Sequence, residues 1–321
     1  MDKAFVLGAG LGFRLRPLTD RLPKPLVPLF HRPLITYAFD HLIQAGVREF
    51  IVNTHHLSEK YGAAFPDSCY RDASLIFRHE PVLLETAGGI ANIADLVRDA
   101  PFIVYNGDIL TDLPLAPLLE THRRDGNLVT LVLRSSGPAR HVAFDAARGL
   151  VTDIRNKLQS GDRGTHQFTG IYAVHPDFLQ HLTPGKIESV IPVFLKLISL
   201  GARTGGVVID DGMWWDLGDR ENYLEAHRCL QEMGERFPAY ATGTANPAPG
   251  RERISHGASV HPTARLHGCT VVGKDCRVGA DAVLEDCILW SGASVAPGAH
   301  LKRCIVLGGS TAQGCISGAD L

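Results

Sequence analysis

The sequence lacks the features that mark secreted, membrane-spanning and nucleic-acid-binding proteins. It has no run of about 18 apolar residues for a transmembrane helix, and its first residues lack the long apolar segment of a signal peptide. The 32 Lys and Arg residues nearly balance the 34 Asp and Glu residues, for a net charge of −2. We therefore expect no nucleic-acid partner and no membrane partner.

Cysteine pairs and covalent catalytic sets are also missing. The seven cysteines are odd in number and none forms a CxxC pair, so a zinc ribbon is not expected. Free thiols are typical of a reducing compartment, and we expect a cytoplasmic protein. The sequence offers no convincing Ser–His–Asp or Cys–His set, which argues against a covalent intermediate on a side chain.

The chain of 321 residues is long for one hydrophobic core and fits two domains. Residues 1–235 alternate short apolar runs with helical patterns. This alternation predicts an α/β domain, with a Rossmann-like mixed, mainly parallel sheet flanked by helices. The predicted strands are Ala4–Leu7, Phe50–Val52, Leu75–Phe77 and Phe102–Tyr105, and the predicted helices are Pro33–Ala45, Ile90–Val97, Leu115–Arg124, Glu188–Leu200 and Arg220–Leu230.

Ligands of such sheets bind at the carboxyl ends of the strands. Three segments are placed there by the predicted strand order: the glycine-rich loop after the first strand, a turn at Glu85–Gly89, and the sequence Asn106-Gly107-Asp108. We expect these three segments to gather at one edge of the sheet.

The amino-acid composition and its periodicity change after residue 235. Residues 236–253 are rich in Pro, Gly, Ala and Thr without periodicity, and they predict a linker. From Ile254 to Trp290, apolar residues then recur every six positions. A six-residue repeat is typical of a parallel β-helix, and residues 254–321 resemble the left-handed β-helix of hexapeptide-repeat proteins.

A longer repeat within this tail concerns three cysteines. Cys269, Cys287 and Cys304 are spaced by 18 and then 17 residues. If one coil takes three hexapeptides, they stack in successive coils as small inward-facing residues rather than as metal or redox groups.

Residues 5–26 read FVLGAGLGFRLRPLTDRLPKPL. Gly8, Gly10 and Gly12 form G-x-G-x-G, which differs from the G-x-G-x-x-G of dinucleotide-binding folds and argues against a nicotinamide-dependent dehydrogenase. Three prolines prevent a long helix, so a stiff basic loop leaves the sheet. Such a loop suits a triphosphate, because glycines admit backbone N–H groups to phosphates and the side chains of Arg14 and Lys24 supply charge.

The string GAGLGFRLRPLT…PKPL resembles the signature of the sugar-1-phosphate nucleotidylyltransferases. Further matches follow in the family's order: LETAGG at 84–89, NGD at 106–108, FTGIY at 168–172 and WWDLG at 214–218. The repeat tail resembles that of many guanylyl-, thymidylyl- and uridylyltransferases. The resemblance implies that an NTP and a sugar 1-phosphate are converted to an NDP-sugar and pyrophosphate, with GDP- or UDP-sugar synthesis expected.

The resemblance also implies roles for individual residues. Arg14 should contact the triphosphate and stabilise charge as pyrophosphate leaves, and Lys24 should bridge the α-phosphate and the sugar phosphate. Asp108 and Asp216 should hold Mg²⁺, which prefers carboxylates together with phosphate oxygens. The implied nucleotide-binding residues are Leu7, Gly8, Ala9, Gly10, Gly12, Arg14 and Gly88. The implied sugar-phosphate-binding residues are Lys24, Glu85, Gly89, Asn106, Asn156, Lys157, Thr169 and Gly170.

Four positions depart from the family pattern. Phe13 stands where Thr or Ser is usual, which removes a hydroxyl from the phosphate loop. Asn156 and Leu158 replace the glutamate and proline that flank the family's lysine at Lys157. Glu85 stands where many members have glycine. A glutamate at this position resembles the subgroup that handles N-acetylmuramic acid 1-phosphate and heptose 1-phosphate.

Two other functions stay open. One is a catalytically weak regulatory paralogue that binds sugar nucleotide. The other is an acyltransferase activity in the tail, for which a histidine base is needed, and the tail histidines are more typical of solvated loops: His256, His261, His267 and His300. The base and the sugar are not determined, and the tail favours a homo-oligomer.

Overall fold

The structure, a computed structural model, describes residues 1–233 and 252–321. The predicted linker, 236–253, lies outside the described residues except for its last two positions. Within the described ranges, no helix is both long and apolar enough to cross a membrane.

Strands and helices alternate through residues 1–233, as the apolar pattern predicts. The strands are β1 Lys3–Leu7, β2 Pro28–Leu29, β3 Arg32–Pro33, β4 Glu49–Thr54, β5 Cys69–Tyr70, β6 Ala73–His79, β7 Phe102–Asn106, β8 Ile109–Thr111, β9 Val129–Arg134, β10 Arg140–Asp145, β11 Leu150–Ile154, β12 His166–Val174, β13 Thr204–Val208 and β14 Trp214–Asp216. The helices are α1 Ile35–Gln44, α2 Glu59–Ala64, α3 Glu85–Asn92, α4 Ala94–Val97, α5 Ala116–Asp125, α6 Val190–Ser199 and α7 Arg220–Met233. Short 3₁₀ turns are Phe13–Leu15, Leu18–Asp20, Lys24–Leu26 and Pro176–His181.

Ten of these strands form one mixed sheet in the order β10-β11-β13-β9-β12-β7-β1-β4-β6-β5. The central strands β7, β1, β4 and β6 run parallel, as do β9 and β13. Strand β12 pairs antiparallel with both β7 and β9, and β5 pairs antiparallel with β6. The predicted α/β class is confirmed. Its parallel part is centred on the strands that helices connect, because parallel neighbours need a crossover.

The central strands β1, β4, β7, β9 and β12 are largely buried on both faces, which explains their nearly continuous apolar runs. Phe5, Val104 and Leu131 have no exposed surface and pack in one cluster with Phe194 of helix α6. Helix α6 has the strongly apolar face that this contact requires.

The chain forms two compact units. The first comprises Met1–Leu11 and Ala38–Trp214, and the second comprises Gly12–Tyr37 and Trp215–Leu321. This division differs from the predicted one because Gly12–Tyr37 and helix α7 group with the C-terminal coils. The predicted domains, 1–235 and 254–321 with a linker at 236–253, remain a proposal about independent folding units.

The tail is a parallel β-helix of three sheets. Its strands are β15 Ser259–Val260, β16 Arg265–His267, β17 Val271–Val272, β18 Arg277–Val278, β19 Val283–Glu285, β20 Ile288–Leu289, β21 Ser294–Val295, β22 His300–Lys302, β23 Ile305–Val306, β24 Thr311–Ala312 and β25 Cys315–Ser317. The sheets are β15-β18-β21-β24, β16-β19-β22-β25 and β17-β20-β23. Ser259 pairs with Arg277, and Arg277 with Ser294, so each coil takes 18 or 17 residues. Left-handed winding stays a prediction.

The predicted cysteine stack is only partly correct. Cys287 and Cys304 occupy equivalent buried positions, because Ile288 pairs with Ile305. Cys269 is displaced by one residue, since the corner between β16 and β17 holds one more residue than the corners that follow. Thr270 takes the inward position instead, and its Oγ1 accepts a hydrogen bond from Cys287 N (3.3 Å). Burial raises the pKa of the Cys287 thiol to about 12, which keeps it protonated and unreactive.

Buried neutral histidines make the fold sensitive to acid. In His41, Nε2 donates to Leu113 O (2.8 Å) and Nδ1 accepts from the Tyr105 hydroxyl (3.0 Å), so the ring needs no charge. Burial lowers the pKa of His41, and also that of His227, from 6.5 to about 4. The stability from each neutral ring is complete above about pH 6.5 and is lost as the pH falls through about 4, because the unfolded chain binds the proton more tightly.

We expect the free energy of unfolding to fall by up to about 3 kcal/mol per buried histidine between about pH 6.5 and pH 4. Denaturant unfolding across this range measures the slope. Carboxylates also titrate near its lower end, so the control is His41→Gln, which should show a shallower slope whatever its stability at pH 7. An identical slope in both proteins would contradict the assignment.

Candidate active site

The glycine loop after β1 is held by two polar side chains of the first unit. Gly8 N donates to Asn53 Oδ1 (2.7 Å), and the Tyr61 hydroxyl donates to Gly8 O (2.9 Å). A Cβ atom on Gly8 would lie 2.6 Å from Asn53 O, so no other residue fits there. The backbone of Gly8 is thereby fixed at the end of β1. The predicted contact of Gly8, Ala9 and Gly10 with a nucleotide stays a prediction.

The segment Asn106-Gly107-Asp108 lies beside this loop. Strand β7 pairs with β1 so that Asn106 is opposite Leu7, and Gly107 N donates to Leu7 O (3.0 Å). Gly170, with φ +83°, approaches Asn106 so closely that a Cβ atom would lie 2.6 Å from Asn106 Nδ2. Three predicted site residues, Leu7, Asn106 and Gly170, are therefore neighbours, and the half-buried Asp108 follows directly.

The prediction of a turn at Glu85–Gly89 is wrong, because these residues form the first part of helix α3. Two of the four N–H groups in its first turn, which lack partners within the helix, have an acceptor elsewhere: Ala87 N and Gly88 N donate to Glu188 O at 2.8 and 3.2 Å. The predicted helix Ile90–Val97 is accordingly divided between α3 and α4. Gly88 packs against the backbone carbonyl of Lys186, which a Cβ atom would overlap.

A buried carboxylate that the sequence analysis missed links α3 to the glycine loop. Glu80 has no exposed surface; it accepts from Asn53 Nδ2 (2.8 Å) and from Leu84 N (3.0 Å). A Cβ atom on Gly89 would lie 3.1 Å from both Glu80 Oε1 and Asn53 Nδ2. The glycine loop and α3 therefore gather at one edge with β7, as predicted. The only sequence signal for Asn53 and Glu80 was their place at the ends of β4 and β6.

The second unit carries the basic loop. Gly12 has φ +64°, and a Cβ atom there would lie 2.7 Å from Thr19 Cγ2, so glycine is required. The Thr19 hydroxyl donates to Gly12 O (3.0 Å), which closes the loop on itself. The loop leaves the Arg14 side chain 68% exposed but buries Lys24, whose side chain is 8% exposed.

Arg14 and Lys24 converge on one carboxylate. Lys24 Nζ lies 3.5 Å from Asp216 Oδ1, and Arg14 Nη2 lies 3.8 Å from Asp216 Oδ2. Gly218 makes room for this approach, because a Cβ atom there would lie 2.6 Å from Arg14 Nη2. Both distances exceed the 2.7–2.9 Å of a close charge-assisted hydrogen bond. The three side chains thus form two long ion pairs that share one carboxylate.

The donor set at Asp216 fits a hard cation. Its carboxylate is 42% exposed and has two loosely placed cationic neighbours, so its oxygens keep lone pairs for a ligand. In the described ranges no three His, Cys, Asp or Glu residues form a metal-binding group. A Mg²⁺ ion at Asp216 would take its other ligands from phosphate and water, which is its usual preference.

Three predicted sugar-phosphate residues are placed less favourably. Asn156 and Lys157 lie in an exposed turn after β11, where Asn156 Oδ1 accepts from Gly161 N (3.2 Å). The Thr169 hydroxyl is buried and donates to Val132 O (3.0 Å), while Thr169 O accepts from Trp214 Nε1 (2.9 Å). Thr169 is thus held by structural hydrogen bonds, and the roles of Thr169, Asn156 and Lys157 at the sugar phosphate all stay predictions.

A mixed α/β sheet with glycine-rich loops at the carboxyl ends of its parallel strands is the architecture of enzymes that bind phosphate-containing ligands. Residues 3–233 match the model of the family described as Nucleotidyl transferase, and the chain belongs to that family. The predicted family and the predicted class of enzyme, a nucleotidyl transferase, are confirmed.

Named relatives agree with this assignment. The mannose-1-phosphate guanylyltransferase of Mycobacterium tuberculosis is 30% identical over 299 residues, which cover 91% of this chain and 80% of that protein. The N-acetylmuramate alpha-1-phosphate uridylyltransferase of Neisseria meningitidis is 31% identical over 218 residues, covering 67% of this chain and 93% of that protein. A solved UDP-glucose pyrophosphorylase from Acinetobacter baumanii has the same fold, with a TM-score of 0.60 at 18% identity over 74% of this chain and 95% of that chain.

Proposed function

We propose that this protein transfers a nucleoside monophosphate from an NTP to a sugar 1-phosphate, giving an NDP-sugar and pyrophosphate. The observation that carries the proposal is the convergence of Arg14 and the buried Lys24 on Asp216. A GDP- or UDP-sugar product is supported by relatives named as guanylyl- and uridylyltransferases.

The chemistry needs no side-chain base. A phosphate monoester has a second pKa near 6 and is already ionised at neutral pH. One of its oxygens attacks the α-phosphorus in line, a new P–O bond forms, and the bond to the β-phosphate oxygen breaks as pyrophosphate leaves. The barrier is charge repulsion and alignment, so positioned cations supply most of the catalysis.

We assign the roles as follows. Lys24 bridges the α-phosphate and the sugar phosphate, and Arg14 binds the triphosphate and stabilises the leaving pyrophosphate. The backbone of Gly8 and Gly10 lies along the nucleotide. Mg²⁺, held by Asp108 and Asp216, would neutralise phosphate charge when bound.

The proposal includes the cellular compartment of the enzyme, its oligomeric state and the choice between two reactions. All seven cysteines are free thiols, which suits a reducing cytoplasm. The β-helix has three sheets of parallel strands through which copies could associate, and we propose a homo-oligomer. The four tail histidines considered for acyl transfer are all exposed, which favours the nucleotidyl reaction over that alternative.

The test is pyrophosphate release by the purified protein. ATP, CTP, GTP, UTP and dTTP are combined with the 1-phosphates of mannose, glucose, N-acetylglucosamine, N-acetylmuramic acid and heptose, with Mg²⁺ and with EDTA. We expect Mg²⁺-dependent release with one pair. Binding of a sugar nucleotide without turnover of any pair would instead support the regulatory paralogue.

Glu85 offers a prediction about sugar selectivity. It is exposed and has φ +59° at the start of α3, a left-handed conformation that costs a non-glycine residue about 1–2 kcal/mol. We expect Glu85→Gly to be more stable than Glu85→Ala by about 0.5–1 kcal/mol, since only glycine relieves the strain and part of the gain is offset in the unfolded chain.

Both variants should lose preference among sugar 1-phosphates, because both remove the carboxylate.

Thermal unfolding of the two variants and kcat/KM across the sugar panel measure these effects. Equal stability of the glycine and alanine variants would show that the left-handed backbone at Glu85 is not strained. Unchanged sugar preference in both variants would remove Glu85 from the sugar site.

A further inference from the structure

The chain that follows Lys24 forms the hairpin β2–β3, which packs on helix α7 in the same unit. The Tyr223 hydroxyl donates to Pro28 O (2.5 Å), and Phe30 N donates to His227 Nε2 (3.0 Å). Because Nε2 of His227 accepts, its Nδ1 carries the proton and donates to Tyr223 O (2.9 Å). Two side chains of α7 therefore bind the backbone of the hairpin.

The same tyrosine is bound from the β-helix. Trp290 Nε1 donates to the Tyr223 hydroxyl (3.1 Å), which thus accepts one hydrogen bond and donates another. Tyr223 is 2% exposed and Trp290 is 6% exposed, so water has little access to replace either partner. Removing the indole N–H leaves the buried Tyr223 hydroxyl with one hydrogen bond fewer, and this weakens its bond to Pro28 O.

Charged groups hold the first turn of α7 to the β-helix as well. Arg220 Nε donates to Asp320 Oδ1 (2.8 Å), and Arg303 of the β-helix pairs with Glu221. Helix α7 is therefore attached on one side to the coils and on another to the hairpin.

These contacts act on the cluster of Lys24, Arg14 and Asp216 through short chain segments. Helix α7 begins at Arg220, four residues after Asp216, and the hairpin begins at Pro28, four residues after Lys24. The Lys24–Asp216 distance of 3.5 Å is set by two segments that Tyr223 ties together. A small displacement of one segment against the other moves the lysine ammonium relative to the carboxylate.

We propose that Tyr223 is a positioning residue for Lys24 and Asp216, and that Trp290 holds Tyr223 in place, so the β-helix takes part in assembling the active site. The kinetic part of this inference rests on the proposed function. The structural part, the attachment of the hairpin through Trp290, does not.

The kinetic experiment compares full-length Tyr223→Phe and Trp290→Phe with the wild type. We expect kcat for pyrophosphate release to fall roughly tenfold in each, while KM for the NTP changes by less than about twofold, because misplacement affects the reaction geometry more than ground-state binding. The matched control is Tyr70→Phe, which removes a tyrosine hydroxyl bond to Asp40 Oδ1 (3.0 Å) outside this cluster. The control should keep the wild-type kcat, and a drop equal to that of Tyr223→Phe would reduce the role to general stability.

Hydrogen–deuterium exchange tests the attachment without turnover. In Trp290→Phe we expect several-fold faster exchange of the Phe30 amide than in the wild type or in Tyr70→Phe, although the substitution lies in the β-helix. Unchanged exchange in the hairpin would overturn the attachment. Faster exchange with an unchanged kcat would overturn the positioning role. A wild type that turns over no substrate pair would contradict the proposed function instead, and the exchange result would still decide the attachment.

Discussion

Lys24→Met lowers kcat for pyrophosphate release by about 100- to 1000-fold, the loss expected when one preorganised charge is removed from a transition state. Methionine keeps the length and apolar stem of the buried lysine, so the loop packs as before and only the ammonium is lost. The effect should appear mainly in kcat, because Arg14 and the glycine loop still bind the NTP. Steady-state kinetics with the active substrate pair measures it.

The control for this substitution is Lys302→Met. Lys302 also pairs with a carboxylate, Glu285 (2.9 Å), but on the surface of the β-helix. Its loss should leave kcat unchanged, since exposed ion pairs contribute about 0–1 kcal/mol and this pair is far from the proposed chemistry in sequence. If kcat of Lys24→Met lies within threefold of the wild-type value, the proposed role of Lys24 is wrong.

Asp108→Asn and Asp216→Asn each lower turnover by two or more orders of magnitude at about 1 mM Mg²⁺, an estimate based on the weight of metal-held charge in phosphoryl transfer. An amide keeps the shape of the side chain but loses the negative charge that attracts a hard cation. Part of the activity should return as the Mg²⁺ concentration is raised, because the weakened site then fills by mass action. Mg²⁺ titration of the rate measures this recovery.

Asp95→Asn is the matched control. Asp95 pairs with Arg78 Nη2 (2.7 Å) at the surface of the first unit, so the substitution breaks an Asp–Arg pair without touching the proposed metal site. The control should show the wild-type Mg²⁺ dependence. If Asp216→Asn also shows it, with full activity, then Asp216 neither holds the metal nor positions Lys24 and Arg14, and its proposed roles are wrong.

Much of the candidate site could be predicted from patterns that are local in the sequence. The glycines after β1, the NGD segment after β7 and the two basic residues among prolines each stand next to a predicted strand or loop, so their placement followed from the strand order. The family resemblance added Asp216, which no local pattern connects with Lys24, 192 residues away. The supporting side chains were missed because Asn53, Tyr61 and Glu80 act through tertiary hydrogen bonds.

The sequence by itself determined the strand and helix pattern, the glycine positions and the six-residue repeat, because each reflects spacing along a few turns of backbone. Tertiary structure alone decided three other matters. Helix α3 starts at Glu85 because Glu188 O receives two N–H groups of its first turn, those of Ala87 and Gly88. Cys269 leaves the cysteine stack because one corner of the β-helix is a residue longer. The loop that carries Lys24 belongs with α7 and the β-helix because Tyr223 and His227 bind its hairpin. In the first and third cases the partner is distant in the chain, and only the folded backbone brings the donor and the acceptor together. In the second, the length of a corner becomes visible only once the coils are stacked.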